Sequence, residues 1–415
     1  MKRKLKVGIL SLGCPRNLVD SENILGRLSA KGFEIVDLDK AEIGIVNTCA
    51  FIEEAKAESI DAILDLIELK KRGGLKKIIV YGCLAERYKE KLRKELPEVD
   101  AFVGRIALNS EVGDFSITPG HYAYLKICES CINRCSYCVI PGIKGKFTSL
   151  DTDSILRKVE FLDREKKIEL NIIGQDITGY GLDLYGDFKL AELVGKIARK
   201  LNNIRWVRLL YLYPSRVSEE LLEIIKNEPR VCKYIDLPVQ HISGRILKAM
   251  NRKTAKRDIL STIARIRKVI PEAAIRTSVI VGFPGETDRE FKELLEFVGE
   301  VKFDKLGAFI YSREEGTPAC NLKGQVPKKI KEERFDALML TQQGISAQNN
   351  RRFIGKNVEV LIDELEKDYF VGRTQYDAPE VDGVVYVRSA KKLKPGDLVK
   401  VNITGTLEYD LQGEV

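Results

Sequence analysis

The cysteines carry the clearest chemical signal in this sequence of 415 residues. Cys131, Cys135 and Cys138 form a C-x-x-x-C-x-x-C motif directly after an apolar segment. Three thiolates this close in sequence can hold one iron–sulfur cube and leave its fourth iron without a protein ligand. The motif therefore predicts a cluster whose open iron binds a small molecule, rather than one that only carries electrons.

Cys128, three residues before this motif, leaves two alternatives open. Four thiolates in one loop could hold a structural zinc ion or a ferredoxin-type cluster. Zinc ribbons normally place their two cysteine pairs on separate hairpins, and the ferredoxin spacing is different from this one. Both differences favour the open-site cluster, with Cys128 outside the ligand set.

Three further cysteines lie far apart in sequence but at equivalent places. Cys14, Cys49 and Cys83 each follow the end of a predicted parallel strand. Because the carboxyl ends of parallel strands meet at one edge of a sheet, these thiols are expected to converge. A buried structural thiol would explain any one of them, but three at matching positions predict a second cluster with an open iron. Cys232 and Cys320 have no comparable setting.

Polar residues and glycines after later strands are candidate cofactor contacts. Gln175 follows the second strand of the central segment, Gln240 ends the fourth, and Gly282 and Glu286 lie in a glycine-rich turn after the fifth. Barrel enzymes keep their chemistry at this end of the strands. Turn formation alone would also explain the glycines. No side chain other than the cluster ligands stands out as catalytic.

Alternating strands and helices must position these residues. Segments 7–12, 43–48 and 78–82 have the apolar pattern of buried parallel strands, and 18–30 and 53–69 have helical spacing. This alternation predicts an open parallel α/β domain over residues 1–115. A linker is expected at 113–120.

The alternation resumes with six predicted strands at 122–127, 168–173, 206–211, 234–238, 275–282 and 306–311. Eight strand–helix units close a full barrel, so six predict a partial (β/α)6 barrel over 121–350, with a long polar helix at 325–352. Short alternating strands then predict a small antiparallel β-barrel over 353–415. The expected fold class is α/β.

Composition narrows the class of protein further. The apolar fraction is 44% and the charged fraction 31%, as in a folded protein, and no apolar run approaches the roughly 18 residues that span a bilayer. The apolar stretch near the N-terminus is too short for a secretory signal. The odd count of nine cysteines excludes complete disulfide pairing and favours a reducing compartment. These features predict a cytoplasmic protein without a membrane partner.

Several motifs together resemble the methylthiotransferase branch of the radical S-adenosylmethionine (SAM) enzymes. They are the cysteine loop and the segments 12–22, 47–55, 81–87, 237–241, 277–287, 311–318 and 378–383. The resemblance covers essentially the whole chain and implies an N-terminal cluster domain, a radical SAM core and a TRAM barrel. Within the branch, the chain is similar to enzymes that modify ribosomal protein S-12. The tRNA-modifying branch usually has Gln-Met-Asn where this chain has Pro15-Arg16-Asn17, and Ser130 replaces a usual glycine.

The resemblance implies two [4Fe-4S] clusters and SAM as cofactors. Cys131, Cys135 and Cys138 would hold the SAM-binding cluster, with Tyr137 beside the adenine, and the other cysteine trio would hold an auxiliary cluster that carries the sulfur. One SAM would methylate this sulfur, and a second would yield a 5′-deoxyadenosyl radical that takes hydrogen from the aspartate β-carbon. The C–H bond there is beyond an ordinary side-chain base. A reductant such as flavodoxin or ferredoxin is an implied partner.

Charge favours a protein substrate. Residues 356–415 hold eight Lys or Arg against twelve Asp or Glu, a net charge of −4, whereas the whole chain carries +8. A module that grips RNA should be basic, and an acidic one suits a basic partner such as a ribosomal protein. We therefore expect ribosomal protein S-12, free or in the small subunit, as substrate and no DNA partner. A tRNA adenosine methylthiotransferase and a non-catalytic iron–sulfur carrier or scaffold are the alternatives.

Overall fold

The computed structural model describes residues 3–105 and 115–415. Part of the predicted linker at 113–120 and the predicted domain boundary at 115 lie at or outside the edge of these ranges. Within them, none of the helices combines the length and apolar character needed to cross a membrane.

The N-terminal domain is a five-stranded parallel sheet in the order β2-β1-β3-β4-β5. The strands are β1 Lys6–Ser11, β2 Glu34–Ile35, β3 Ile43–Thr48, β4 Lys77–Gly82 and β5 Ala101–Val103. The helices are α1 Pro15–Ala30, α2 Glu53–Lys71 and α3 Cys83–Glu95. The three strands predicted from apolar runs form the centre of the sheet, because their buried side chains pack on both faces. The short edge strands β2 and β5 were not predicted.

The central segment forms two three-stranded parallel sheets, β10-β9-β6 and β11-β12-β13. The main strands are β6 Tyr122–Lys126, β9 Glu169–Ile173, β10 Trp206–Leu209, β11 Tyr234–Asp236, β12 Ala274–Val281 and β13 Lys305–Ile310. A parallel bridge between Val207 and Val231 joins the two sheets. All six predicted strands are present, and a small two-stranded sheet, β7 Cys128–Glu129 with β8 Thr148–Ser149, flanks the cysteine loop.

Helices pack around the central strands. They are α4 Ile140–Lys144, α5 Thr152–Arg164, α6 Leu182–Tyr185, α7 Leu190–Lys200, α8 Glu219–Asn227, α9 Gly244–Ala249, α10 Lys256–Val269, α11 Asp288–Val301 and α12 Lys328–Asn350. Apolar residues of α5, α7, α8, α10 and α11 join those of the strands in one large core. The arrangement is the predicted strand–helix architecture.

The C-terminal domain is a closed five-stranded barrel in the order β14-β15-β16-β18-β17. Its strands are β14 Asn357–Glu366, β15 Tyr369–Thr374, β16 Val385–Arg388, β17 Leu398–Thr406 and β18 Leu411–Glu414. All neighbouring pairs are antiparallel except β16 and β18, which run parallel. Strand β18 was not predicted, and it is the element that closes the barrel.

Buried ion pairs join the small barrel to the amino-terminal part of the central strands. Asp382 accepts a hydrogen bond from the Tyr234 hydroxyl at 2.6 Å and pairs with Arg276 at 2.5 Å. Lys305 pairs with Asp377 at 2.5 Å. The small barrel therefore covers one end of the central domain, and the opposite, carboxyl end of the strands remains for the cysteines.

Candidate functional site

The sheet of the N-terminal domain brings the first cysteine trio together. Cys14 immediately precedes α1, Cys49 follows β3, and Cys83 begins α3 directly after β4. A methyl group placed on Gly13 would lie 2.8 Å from Cβ and 3.2 Å from Sγ of Cys49, so the loop of Cys14 packs directly on Cys49. Burial is the main cause of the raised pKa of Cys83, and the neighbouring Cys49 and Cys14 thiols raise it further.

Buried amide groups fix the loops that carry these cysteines. Asn47 donates to the carbonyl of Asn17 at 2.7 Å, and Asn17 donates to the carbonyl of Thr48 at 3.2 Å. Gly82 has φ of +103°, and a methyl group there would lie 2.4 Å from Oδ1 of Asn47. Glycine is therefore required at the turn before Cys83.

The electrostatic setting differs within this trio. Burial raises the pKa of Cys83 to about 12 and also raises that of Cys49. Burial acts in the same direction on Cys14, but the charge and hydrogen bond of Arg16 outweigh it and lower the pKa below its usual value. Nε of Arg16 donates to Sγ of Cys14 at 3.4 Å. A cation that donates to a thiolate suits a metal-bound sulfur.

The second trio lies in the loop between β7 and α4. The backbone N–H and the side-chain amide of Asn133 donate to Sγ of Cys131 at 3.4 and 3.3 Å. The Cys138 N–H donates to the carbonyl of Cys135 at 3.1 Å, which folds the loop back on itself. Burial raises the pKa of Cys131 to about 11 and that of Cys138 to about 12. All three thiols are half-buried. A half-buried thiol with donors aimed at its sulfur, as at Cys131, fits a bound iron–sulfur cluster.

A chain of side chains holds Asn133 in place. Its amide also donates to Asp176 at 2.6 Å, and its carbonyl oxygen accepts from Arg216 at 3.2 Å. Arg216 forms an ion pair with Asp176 in turn. The orientation of the donor to Cys131 is thus set by groups after β9 and β10.

The thiol of Cys128 packs against the segment that follows β9. This cysteine lies on β7, is fully buried, and its thiol contacts the backbone carbonyl of Asp176 at 3.7 Å. A methyl group on Gly174 would come within 2.5 Å of this sulfur. Packing explains this thiol, which favours a ligand set without it.

Ser130 shows how this chain accommodates its departure from glycine. Its φ is +65°, a conformation that most side chains avoid. The Ser130 hydroxyl donates to the carbonyl of Gly145 at 2.6 Å. This hydrogen bond ties the start of the cysteine loop to the end of α4 and offsets part of the backbone strain.

Across residues 3–105 and 115–415, no three Cys, His, Asp or Glu side chains converge closely enough to ligate one metal ion. A cube requires wider spacing, because each thiolate binds a different iron.

The residues predicted to contact the cofactor lie in different surroundings. Tyr137 packs against the apolar group of Met250, Phe283 and Tyr311 and lies beside Cys135. Gln175 donates to Glu129 at 3.1 Å, and its own oxygen is buried without a partner. That unused acceptor is available to a bound molecule.

The remaining three candidates lie at the ends of β11 and β12. Gln240 has φ of +70° and pairs with β12 through its backbone. Gly282 lies against the side chain of Lys331, where a methyl group would come within 2.3 Å. Glu286 is buried, accepts from the Phe283 N–H at 3.0 Å, and lies 3.5 Å from Arg334. These contacts give Gly282 and Glu286 a role in the local turn, and contact with a cofactor remains a prediction for all three.

Sequence reasoning missed a buried ionic network between the two trios. Lys126 pairs with Asp20 of α1 and, at 2.6 Å, with Glu129. Lys144 reaches the same two carboxylates at 3.2 and 3.4 Å. Two cations and two anions therefore join the N-terminal domain to the cysteine loop. The sequence did not indicate this network, because a charged residue in a buried ion pair cannot be distinguished from an exposed charged residue by its position in the sequence.

Comparison with known proteins adds three family matches along the chain. Residues 6–104 match the uncharacterized protein family UPF0004, residues 125–298 match the radical SAM superfamily, and residues 354–415 match the TRAM domain. The matches follow the three parts of the fold.

Relatives similar over their whole length include the ribosomal protein uS12 methylthiotransferases RimO of Clostridioides difficile and Thermoanaerobacter sp. The first is 46% identical and the second 47%, with 99% and 98% of this chain and 99% of each relative covered. Among solved structures, the radical SAM methyltransferase TsrM from Kitasatospora setae has a TM-score of 0.55 at 15% identity, covering 77% of both chains. The cobalamin-dependent radical SAM enzyme OxsB gives 0.52 at 15% identity, covering 82% of this chain and 56% of OxsB. These two structures share the fold.

Proposed function

The chain belongs to the RimO family of radical SAM methylthiotransferases, and on that basis we propose that it adds a methylthio group to the β-carbon of an aspartate in ribosomal protein uS12. The observation that carries the proposal is the presence of two separate cysteine trios close enough for the charge of Arg16 to act on both. This residue contacts Cys14 of the first trio, and its charge offsets part of the effect of burial on the pKa of Cys138 in the second.

We assign one [4Fe-4S] cluster to each trio. Cys131, Cys135 and Cys138 would hold the cluster that binds SAM, and Cys14, Cys49 and Cys83 the auxiliary cluster. When bound, these groups supply a carbon-centred radical for the unactivated C–H bond, together with the sulfur and the methyl group. Tyr137, Gln175, Gln240, Gly282 and Glu286 remain proposed SAM contacts.

The chain itself contributes orientation and charge. Asn133 donates to the sulfur of Cys131 and is held by Asp176, so the protein's own side chains orient this ligand. The ion pairs of Lys126 with Asp20 and Glu129 hold the N-terminal domain against the central strands. Two clusters that act on one carbon atom must be held at a fixed distance from each other, because reacting groups must be positioned to within a few tenths of an ångström. The ion pairs between the domains fix that distance.

The charge of the small barrel supports a protein substrate. Its net charge of −4 disfavours a phosphate backbone and suits a basic ribosomal protein, free or assembled in the small subunit. We further propose a cytoplasmic location, a flavodoxin- or ferredoxin-like reductant, and no membrane or DNA partner.

Reaction of the reconstituted enzyme with uS12 tests this function. We expect anaerobic incubation with SAM, dithionite and sulfide to increase the mass of uS12 by one methylthio group that replaces a hydrogen, and fragment spectra to locate it on an aspartate. Transfer RNA in a parallel reaction should stay unmodified. Modification of adenosine in the tRNA with unmodified uS12 would favour the tRNA enzyme, and absence of SAM cleavage would favour an electron carrier.

A further inference from the structure

Arg16 has hydrogen-bond donors that the fold does not use. Its Nε donates to Sγ of Cys14 at 3.4 Å, and Nη1 donates to the carbonyl of Gly174 at 3.0 Å. A guanidinium has five N–H donors, so the outer edge formed by Nη1 and Nη2 retains three. This edge has the geometry that binds a carboxylate through two parallel hydrogen bonds.

Arg16 also lacks a carboxylate partner. In the described part of the chain, no Asp or Glu oxygen lies within ion-pair distance of its guanidinium, whereas Lys126 and Lys144 each contact both Asp20 and Glu129. The side chain is half-buried. Its one close anionic partner in the described chain is the Cys14 sulfur. A partly desolvated cation with unused donors and no carboxylate within ion-pair distance is suited to a carboxylate from outside the chain.

The position of Arg16 is fixed by a strained platform. Its guanidinium lies over the ring of Tyr211, 4.4 Å from the ring centre. Tyr211 has φ of +68°, and its N–H donates to Asp236 at 2.8 Å. A bulky residue adopts this conformation only where the surroundings hold it there. Cation and platform come from different domains, so the site exists only when the N-terminal domain is docked.

We propose that the outer edge of Arg16 binds the side-chain carboxylate of the aspartate that the enzyme modifies. This inference rests on the proposed function. The carboxylate is bonded directly to the β-carbon, so a cation that holds it also places that carbon. Arg16 adjoins Cys14, and the carbon must receive its sulfur at the auxiliary cluster. Binding at Arg16 therefore brings the carbon beside the cysteine trio of the N-terminal domain.

The competing role for Arg16 is to neutralise the metal-bound thiolate of Cys14. The two roles separate because only carboxylate binding makes the enzyme distinguish aspartate from its neutral isostere asparagine. Arg252, beside Cys135 and Tyr137, is the corresponding cation near the second trio. Its place beside that trio leaves Arg16 as the cation that would bind the substrate near Cys14.

The test compares wild-type, Arg16→Lys and Arg16→Gln enzymes, with the exposed Arg257→Met as control. Each reconstituted enzyme is titrated anaerobically with unmodified uS12 that carries either the target aspartate or an asparagine in its place. We expect wild type and Arg257→Met to bind the aspartate form about tenfold or more tightly, as for a charge-assisted hydrogen bond. Arg16→Lys should keep part of this preference, and Arg16→Gln should bind both forms equally.

Iron content and substrate-free SAM cleavage are measured in every variant. Lost aspartate preference in Arg16→Gln supports the assignment, and the iron content and SAM cleavage show whether the neutralising role at Cys14 is affected as well. A preserved aspartate preference in Arg16→Gln overturns it, as does lost iron with an unchanged preference. If the wild type does not modify uS12, the proposed function fails and this inference fails with it. The mass measurement on uS12 detects that failure independently of the binding experiment.

Discussion

The side-chain amide of Asn133 donates to Sγ of Cys131 at 3.3 Å, and it does so from a fixed position because Asp176 accepts from the same amide. The carboxylate and the cysteine are 45 positions apart in sequence, yet one side chain connects them. The cysteine loop is therefore positioned by a residue that follows a strand of the central domain.

Replacing Asp176 with alanine should impair the cysteine loop selectively. Asn133 loses its acceptor and Arg216 its ion pair, and loss of such supporting groups typically costs 10- to 100-fold in metal affinity or activity. We expect SAM cleavage to fall by about this factor while iron at the first trio is retained. Rates of SAM cleavage with dithionite, combined with iron counts, measure both. Asp187→Ala, which removes an exposed carboxylate, is the control, and equal rates in the two variants would contradict the account.

Lys126→Met should destabilise the protein strongly. Asp20 and Glu129 would each lose a buried partner, and breaking such a pair by removing one member costs about 3–5 kcal/mol. The exposed pair of Lys196 with Glu192 supplies the control, because Lys196→Met should cost less than about 1 kcal/mol. Urea unfolding of both variants under identical conditions gives the comparison. Equal midpoints would show that the buried network contributes nothing to the domain contact.

Cys128→Ala should leave the clusters intact. Its thiol is buried against Gly174, so the substitution opens a small cavity and costs about 1–2 kcal/mol without removing a ligand. Cys232→Ala, at another buried thiol, should behave in the same way. Iron and zinc analysis of both purified variants checks this. Metal lost in Cys128→Ala alone would place Cys128 among the ligands and restore the zinc or ferredoxin alternative.

Much of the site was predictable because it depends on local rules. Cys14, Cys49 and Cys83 were expected to meet since each follows a parallel strand, and the sheet places them at one edge. Strand β18 was missed because Gln412 and Gly413 interrupt its apolar pattern. It forms because its backbone completes the barrel between β16 and β17.

The supporting contacts were not predictable for a different reason. Arg16 stacks on Tyr211, and Asp20 pairs with Lys126, only because two domains dock. Sequence periodicity reports which face of an element is buried, and it carries no information on which distant element covers that face. Charged residues at such a contact resemble exposed ones until the contact is known.

The central claim is that each trio of cysteines holds its own cluster, and iron counting tests it most directly. The wild-type protein, reconstituted anaerobically with iron and sulfide, should contain about eight irons per chain. Replacing Cys14, Cys49 and Cys83 together by alanine should leave about four, and so should the corresponding replacement of Cys131, Cys135 and Cys138. An unchanged iron count after the first triple replacement would contradict the account.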